Sequence, residues 1–361
     1  MILNIHAPVN ATSYGYVSSN VIKELKKLNI DLRYTPIGPI TPDKEILPEI
    51  KEVLFRWDYS FDAPSLKIWH QNDLGAFCGG GMRIGMPIFE LEKFNKYELH
   101  SLQNPDKLFV CSNWAKNVIE SEVPNSIGNT HVIPLGVDNN IFKQTPMPNI
   151  EKTIFGNFGK WEVRKGHNEL VEIFNKAFEK DDDVLLVMMP HNFFLTEEET
   201  TSWISKYKNT KLGDKILFTN RQESHSMVYN IMRQIHCGVF PSRAEGWNLE
   251  ALELLSIGRH LIITNATAHT EFCNSKNSHL IEMESGYESA KDIKFFDGSF
   301  EWRKFGENEI EQAVNHMRYI HKKRKEGNLD INKEGIKTGK QFSWENTALK
   351  IKETVWNLLI K

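Results

Sequence analysis

The chain has 361 residues, 40% of them hydrophobic and 25% charged, which describes a folded globular protein long enough for two cores. A net charge of -3, with no array of interleaved aromatic and basic residues, excludes a nucleic-acid partner from the expectations. No apolar run approaches the roughly 20 residues of a membrane span, and MILNIHAPVNATSYG is too polar after Ile5 for a signal peptide. The expected setting is the cytoplasm, with peripheral contact at the inner face of a membrane left open.

Taken in order, Ile2 to Ile5 reads as a buried strand, and Asn10 to Tyr16 as a turn-rich loop. Val17 to Leu28 has helical spacing through Val21, Ile22 and Leu25, and Ile30 to Tyr34 returns as strand, which makes a βαβ unit with parallel pairing. Leu66 to Trp69 is a third strand, and it ends at His70, where open α/β sheets place ligands. Leu108 to Cys111 and His131 to Ile133 are further strands around a helix from Asn113 to Glu122. Cys78-Gly-Gly-Gly-Met-Arg83-Ile-Gly85 lacks the strand-then-helix setting of a phosphate cradle and reads better as a mobile cleft loop, with Arg83 free to meet an anionic acceptor.

Pro134 to Ile150 reads as a proline-containing linker, after which the alternation restarts. Strands are expected at Thr153–Phe158, Val184–Met189, Lys215–Thr219, Cys237–Phe240 and His260–Thr264. The helices between them are His167–Phe178, Met227–Ile235 and Leu249–Ile257; the chain is helical again from Glu309, with a last helix from Trp344 to Leu359. The basic run His321 to Lys325 reads as a solvated helix end. Cys78, Cys111, Cys237 and Cys273 are far apart and read as buried thiols. The expected fold class is α/β, two doubly wound Rossmann-like domains facing a cleft, 1–145 and 146–343.

Two stretches carry chemistry. In Phe240 to Gly258, FPSRAEGWNLEALELLSIG, a strand breaks at Pro241 and a polar turn feeds a helix, whose first N–H groups suit an anion. Glu245 stands at the turn and Glu253 among leucines, where a carboxylate needs a partner. In Phe155 to Gly166, FGNFGKWEVRKG, a strand runs into Gly159, Lys160, Arg164 and Lys165, a set of cations with glycines that let a diphosphate approach.

These stretches, with VIPLGVDNNIF, FVCSNWAKNVI, TNRQESHSMVYNIMRQIHCGVF and TNATAHTEF, resemble the retaining glycosyltransferases of the GT-B fold, family 4. The likeness spans most of Leu108 to Trp356 and is weaker over the first hundred residues. It implies transfer of a hexose from a UDP- or GDP-sugar to a glycan, lipid-linked or small-molecule acceptor, with no cofactor and no metal. It implies that Glu245 lies by the donor sugar, Glu253 on the ribose, and Lys160 and Lys165 on the diphosphate. Gly246, Trp247 and Asn248 would offer amides to the leaving phosphate, with Leu249, Gly159, Arg164 and Arg221 also on the donor side. His70 would face the transferred sugar, and Glu271 matches a carboxylate of less defined role. The helix at 344–361 would pack back on the first domain. Thr12 to Tyr16 replaces the family's glycine-pair loop, so Tyr14, Gly15 and Tyr16, with Arg83, are the acceptor-side candidates. Gly258-Arg-His-Leu261 departs from the family's Gly-x-Pro-Val. Lys23, Lys26 and Lys27 on one helix are the only hint of a lipid acceptor. A nucleotide-sugar epimerase and a binding protein without turnover are the alternatives.

Overall fold

The computed structural model describes residues 1–361 apart from Trp57, Cys78, Ile293 and Lys361. It divides into two compact units, Met1–Gly136 with Phe342–Lys361, and Val137–Gln341.

The first unit runs β1 (Ile2–Ala7), α1 (Ser13–Lys27), β2 (Asp31–Pro36), α2 (Leu47–Leu54), β3 (Ser65–Ile68), β4 (Arg83–Met86), α3 (Lys96–Leu102), β5 (Lys107–Val110), α4 (Asn113–Glu122) and β6 (Thr130–Val132), and is joined by the C-terminal helix Trp344–Leu359. Its six strands are all parallel in the order β2-β1-β3-β4-β5-β6. Parallel neighbours need crossovers, so helices cover the sheet and its central strands become apolar. The chain order reverses between β1 and β3, and that gap is the first sheet's switch point.

Two expectations in this unit are corrected. The first helix starts at Ser13 rather than Val17, because the Asn10 side chain holds the Thr12 amide and a Cβ at Gly15 would strike the Asn10 backbone. Tyr14 and Tyr16 therefore lie on a helix and are buried. The Tyr14 hydroxyl donates to Ile88 O at 2.8 Å and accepts from Ile88 N at 3.0 Å, while the Tyr16 ring meets Trp344 edge-on. Both are thus packed in a helix and do not form a loop. The glycine-rich stretch is neither cradle nor open loop: the amides of Gly80 and Gly81 are spent on the Phe61 carbonyl, and Arg83–Met86 is a strand. Arg83 is half-exposed and pairs with Asp106, Nη2 to Oδ1 at 2.8 Å. Lys23 is buried, while Lys26 and Lys27 are partly exposed and pair with Glu52 and with Glu24.

The second unit runs β7 (Thr153–Asn157), α5 (His167–Ala177), β8 (Val184–Met188), α6 (Glu197–Lys208), β9 (Ile216–Phe218), α7 (His225–Met232), β10 (Cys237–Phe240), α8 (Leu249–Ser256), β11 (His260–Thr264), α9 (His269–Phe272), β12 (His279–Ile281), a hairpin β13 (Tyr287–Lys291) and β14 (Asp297–Arg303), α10 (Glu307–Lys325) and α11 (Lys333–Gln341); the C-terminal helix is α12. Six parallel strands take the order β12-β11-β10-β7-β8-β9. The chain starts in the middle at β7, builds outward through β8 and β9, then returns to β10 on the other side. The switch point is between β7 and β10.

The core of this unit joins Phe155, Leu170 and Phe174 to Trp161 and Trp203, whose rings stack at 5.2 Å. Trp161 belongs to the basic loop, so this packing pins the loop to the body of the unit. Val137 to Ile150 is no loose linker. Phe142 is fully buried, and the buried Arg259 guanidinium donates to the carbonyls of Thr145, Pro146 and Arg233. His321 is likewise buried against Thr153 Oγ1 at 2.7 Å, so the basic run is not wholly solvated. Cys111, Cys237 and Cys273 are buried free thiols, and Cys78 lies outside the described residues. Among the described residues no helix is long and apolar enough to cross a membrane.

Candidate active site

Ligands of open parallel sheets sit beyond the carboxyl ends of the strands at the switch point. In the second sheet those ends carry the loop after β7, Phe158 to Gly166, and the turn after β10, Pro241 to Asn248. Gly166 brings the two together: its φ is +70°, and a Cβ there would run into the Pro241 carbonyl. The Arg243 amide then bonds the Arg164 carbonyl at 2.8 Å.

Between these loops lies a buried chain of alternating charges. Lys160 Nζ is 2.7 Å from Glu162 Oε1, and Glu162 Oε2 is 2.7 Å from Arg164 Nη2. Arg164 Nη1 is 2.8 Å from Glu245 Oε2, and Lys165 Nζ is 2.8 Å from Glu245 Oε1. Ser242 Oγ also donates to Glu245 Oε1, and the Glu245 amide donates to Thr267 Oγ1. Burial alone would raise the Glu245 carboxyl, but Arg164 and Lys165 outweigh it and hold it well below the usual range. Burial opposes ionisation of Glu162 too, yet Arg164, Lys160 and Lys165 bring it down to about 2. Burial would likewise discharge Lys165, and Glu245 keeps it charged. Arg164 and Lys165 both pair with Glu245, and Lys160, whose side chain is 44% exposed, is the most solvent-accessible of these three cations.

The turn delivers the chain into α8 through Asn248, a left-handed residue with φ 86° whose side chain caps the Ala251 amide. Asn248 Nδ2 donates to His269 Nε2 at 2.9 Å, and His269 Nδ1 faces the Thr264 carbonyl at 3.0 Å. That pairing fixes a neutral imidazole, in keeping with burial, which lowers it to about 4. Among the described residues the amides of Gly246, Asn248, Leu249 and Glu250 donate to no protein group, leaving a helix N-terminus suited to an anion. Trp247 is buried against Phe272. The left-handed step means α8 begins only at Leu249, so a straight helical rise does not connect Glu245 with Glu253.

Glu253 lies one turn into α8, buried among Leu252, Leu254 and Leu255. Among the described residues its carboxyl makes no hydrogen bond, and His225 Nδ1 is 3.9 Å away. Burial, with Glu250 nearby, raises it well above the usual carboxyl range. Gly159 is buried, its amide held by Asn157 Oδ1. Arg221 follows β9 and lies 4.7 Å from the centre of the Phe193 ring. Glu271 lies on α9.

In the first unit His70 is exposed beyond β3, its ring 4.5 Å from that of Tyr14. The structure therefore joins Lys160, Arg164, Lys165 and Glu245 in one network through Glu162. Sequence reasoning passed over Glu162, Ser242, Thr267 and His269, which hold the network. It also passed over Arg243, which bonds Glu169 on α5 at 2.8 Å and Glu288 on β13. Glu162 alone gave a signal, a carboxylate flanked by cations in KWEVRK. Among the described residues no group of three or more His, Cys, Asp or Glu is placed to hold a metal ion.

The class follows from fold and site together. Residues 138–295, inside the second unit, match the family model described as glycosyl transferases group 1, and the chain has the GT-B fold. Among curated proteins, the GDP-mannose:cellobiosyl-diphosphopolyprenol alpha-mannosyltransferase of Xanthomonas oryzae pv. oryzae is 24% identical over 135 residues, 37% of this chain. The match spans 34% of that relative's length. Among solved structures, the sucrose-phosphate synthase of Thermosynechococcus elongatus superposes with a TM-score of 0.69 at 15% identity, covering 100% of this chain and 99% of the other. Anabaena Alr3699/HepE in complex with UDP-glucose gives 0.70 at 11% identity, covering 99% and 100%.

Proposed function

We propose that this chain is a retaining glycosyltransferase of family 4 that moves a hexose from a UDP- or GDP-sugar to a glycan, lipid-linked or small-molecule acceptor. The observation that carries the reading is the basic loop after β7 set against a turn ending in unpaired helix amides. Cleaving a glycosyl–phosphate bond builds negative charge on the departing diphosphate, and preorganised cations and N–H groups stabilise it most where water is excluded. Lys160 and Lys165 supply charge, and Gly246, Trp247, Asn248 and Leu249 supply backbone donors, with Gly159 allowing close approach. In this reading Glu245 lies by the donor sugar and holds Arg164 and Lys165 in place. Glu253 receives ribose hydroxyls, which would give its buried carboxyl the partners it lacks. Arg221 is assigned to the base and His70 to the transferred sugar.

The printed donors of the relatives, GDP-mannose in one and UDP-glucose in another, support a nucleotide hexose without choosing the base. The reaction is proposed to need no metal ion, since lysines and a helix N-terminus already offset the diphosphate, and the setting to be cytoplasmic with peripheral membrane contact. A thermal-shift panel of UDP, GDP, ADP and their common sugars, run with and without EDTA, tests this. Stabilisation follows RT ln(1 + [L]/Kd), so one nucleotide family should raise the second unit's melting temperature, unchanged by EDTA. A flat response across the panel overturns the reading, and a response abolished by EDTA overturns the metal independence.

A further inference from the structure

The proposed donor chemistry leaves several buried cations unused, and one of them, in the first unit, is poorly paired. Lys67, on the central strand β3, is 1% exposed. Its partner among the described residues is Asp73, at 3.4 Å, on the loop that follows β3, and that carboxylate is 60% exposed. Charge-assisted bonds of this kind usually close to about 2.7–2.9 Å, so one long contact from a solvated loop compensates the burial poorly. Beside Lys67, in register on β1, stands His6. Its Nδ1 is buried and has no hydrogen-bond partner among the described residues. Burial first, then the neighbouring Lys67, lower its affinity for a proton, so it stands as a neutral imidazole. The charged groups facing it are Lys67 and Asp73, and the Ala76 backbone lies against it.

A cation and an imidazole side by side on adjacent buried strands is an arrangement that stability alone does not favour. It lies at the carboxyl ends of β1 and β3, the switch point of the first sheet. His6 and Lys67 share the sheet face of Asn4 and Ser65, while Leu3, Ile5, Leu66 and Ile68 fill the other.

We propose that Lys67 and His6 form a subsite for a phosphomonoester on the molecule that receives the glycosyl group, with Asp73 as the counter-ion it displaces. A phosphate monoanion matches the pair because it carries both roles: its charged oxygens accept from the Lys67 ammonium, and its P–OH donates to His6 Nδ1. Sulfate has the same shape and no proton to donate. A carboxylate lacks the donor in the same way. The assignment of this group to an acceptor rests on the glycosyltransferase reading; the binding of phosphate does not.

The test is calorimetric titration of the full chain with inorganic phosphate and, separately, sulfate at matched ionic strength. Phosphate should bind and sulfate should bind at least tenfold more weakly. Asp73→Asn, on an exposed loop, removes the competing carboxylate and should tighten phosphate binding about tenfold, which corresponds to about 1.4 kcal/mol. Lys67→Met should abolish binding while melting no lower than the parent, because an apolar side chain of similar size replaces a poorly paired ion. Binding indifferent to both substitutions, or sulfate equal to phosphate, overturns the subsite. Glycerol 3-phosphate and phosphatidate-containing vesicles then separate a free phosphate ester from a lipid headgroup. Phosphate binding without any nucleotide response would keep the subsite and reject the glycosyltransferase reading; the converse would reject the subsite alone.

Discussion

Glu162→Gln removes the carboxylate that links Lys160 to Arg164 while keeping its shape, and it tests what holds the basic loop. Holding Glu162 at about 2 rather than 4.5 is worth about 3 kcal/mol at neutral pH, at 1.36 kcal/mol for each unit. Removing one partner of a buried ion pair costs roughly 3–5 kcal/mol. The lower figure suits this site because Arg164 retains Glu245 and the Ala244 carbonyl. The sign follows from the lowered carboxyl: its stabilisation is fully present above pH 4.5 and is lost as pH falls toward 2. The gap between parent and variant should therefore hold near 3 kcal/mol from pH 7 to 5 and shrink to about half by pH 3. Hydrogen exchange resolved to peptides of β7 and β10 reads the local opening free energy, and urea midpoints across pH give the trend. A cost below about 1 kcal/mol at pH 7, or a gap that widens in acid, would show that Glu162 is a solvated neighbour of the cations and not the strut between them.

Gly166→Ala should cost about 2 kcal/mol or more, because it forces a side chain into the left-handed region and onto the Pro241 carbonyl; a melting temperature within a degree of the parent would refute that close approach. Glu253→Gln should do two opposite things. Its raised carboxyl contributes stability below about pH 4.5 that is lost as pH rises, so the glutamine variant should melt higher than the parent at neutral pH without ligand. Nucleotide affinity should fall at the same time, and a variant that melts lower and binds unchanged would sink both assignments. Trp161→Ala should lose about 3–5 kcal/mol through the cavity beside Trp203 and Leu170, seen as an early-melting second unit in calorimetry.

Much of this fold can be read from periodicity. The helix at 113–122 and the strands at Cys237–Phe240 and His260–Thr264 lie where their patterns put them, since apolar spacing bracketed by turn residues leaves few alternatives. A strand that opens on a charged residue inside a glycine-rich stretch escapes such patterning. Arg83-Ile-Gly-Met is a strand through its ladders to β3 and β5, with Leu74, Pro105 and Leu108 closing around Gly85. The start of α1 was hidden for a similar reason, being set by a contact between Gly15 and Asn10 rather than by any cap with a side-chain bond.

The candidate site was legible in part. Composition and order expose the cations and the two glutamates, but not which cation faces which carboxylate. Arg164 and Lys165 look like ligands for a diphosphate in the sequence, and in the fold they close on Glu245. That pairing is long-range, joining residues some eighty positions apart, so no local pattern encodes it. Arg243 is the same case, with partners on α5 and β13.

The segment from Val137 to Ile150 bears on how this chain could be recombined. Because Arg259 is wholly buried and spends its guanidinium on the carbonyls of Thr145 and Pro146, the segment is an outer strap of the second unit. A chimera that exchanges second units between relatives should therefore join ahead of Val137, where the strap travels with its arginine. A seam placed at the start of β7 would part the two halves of one module and leave a buried cation facing foreign backbone.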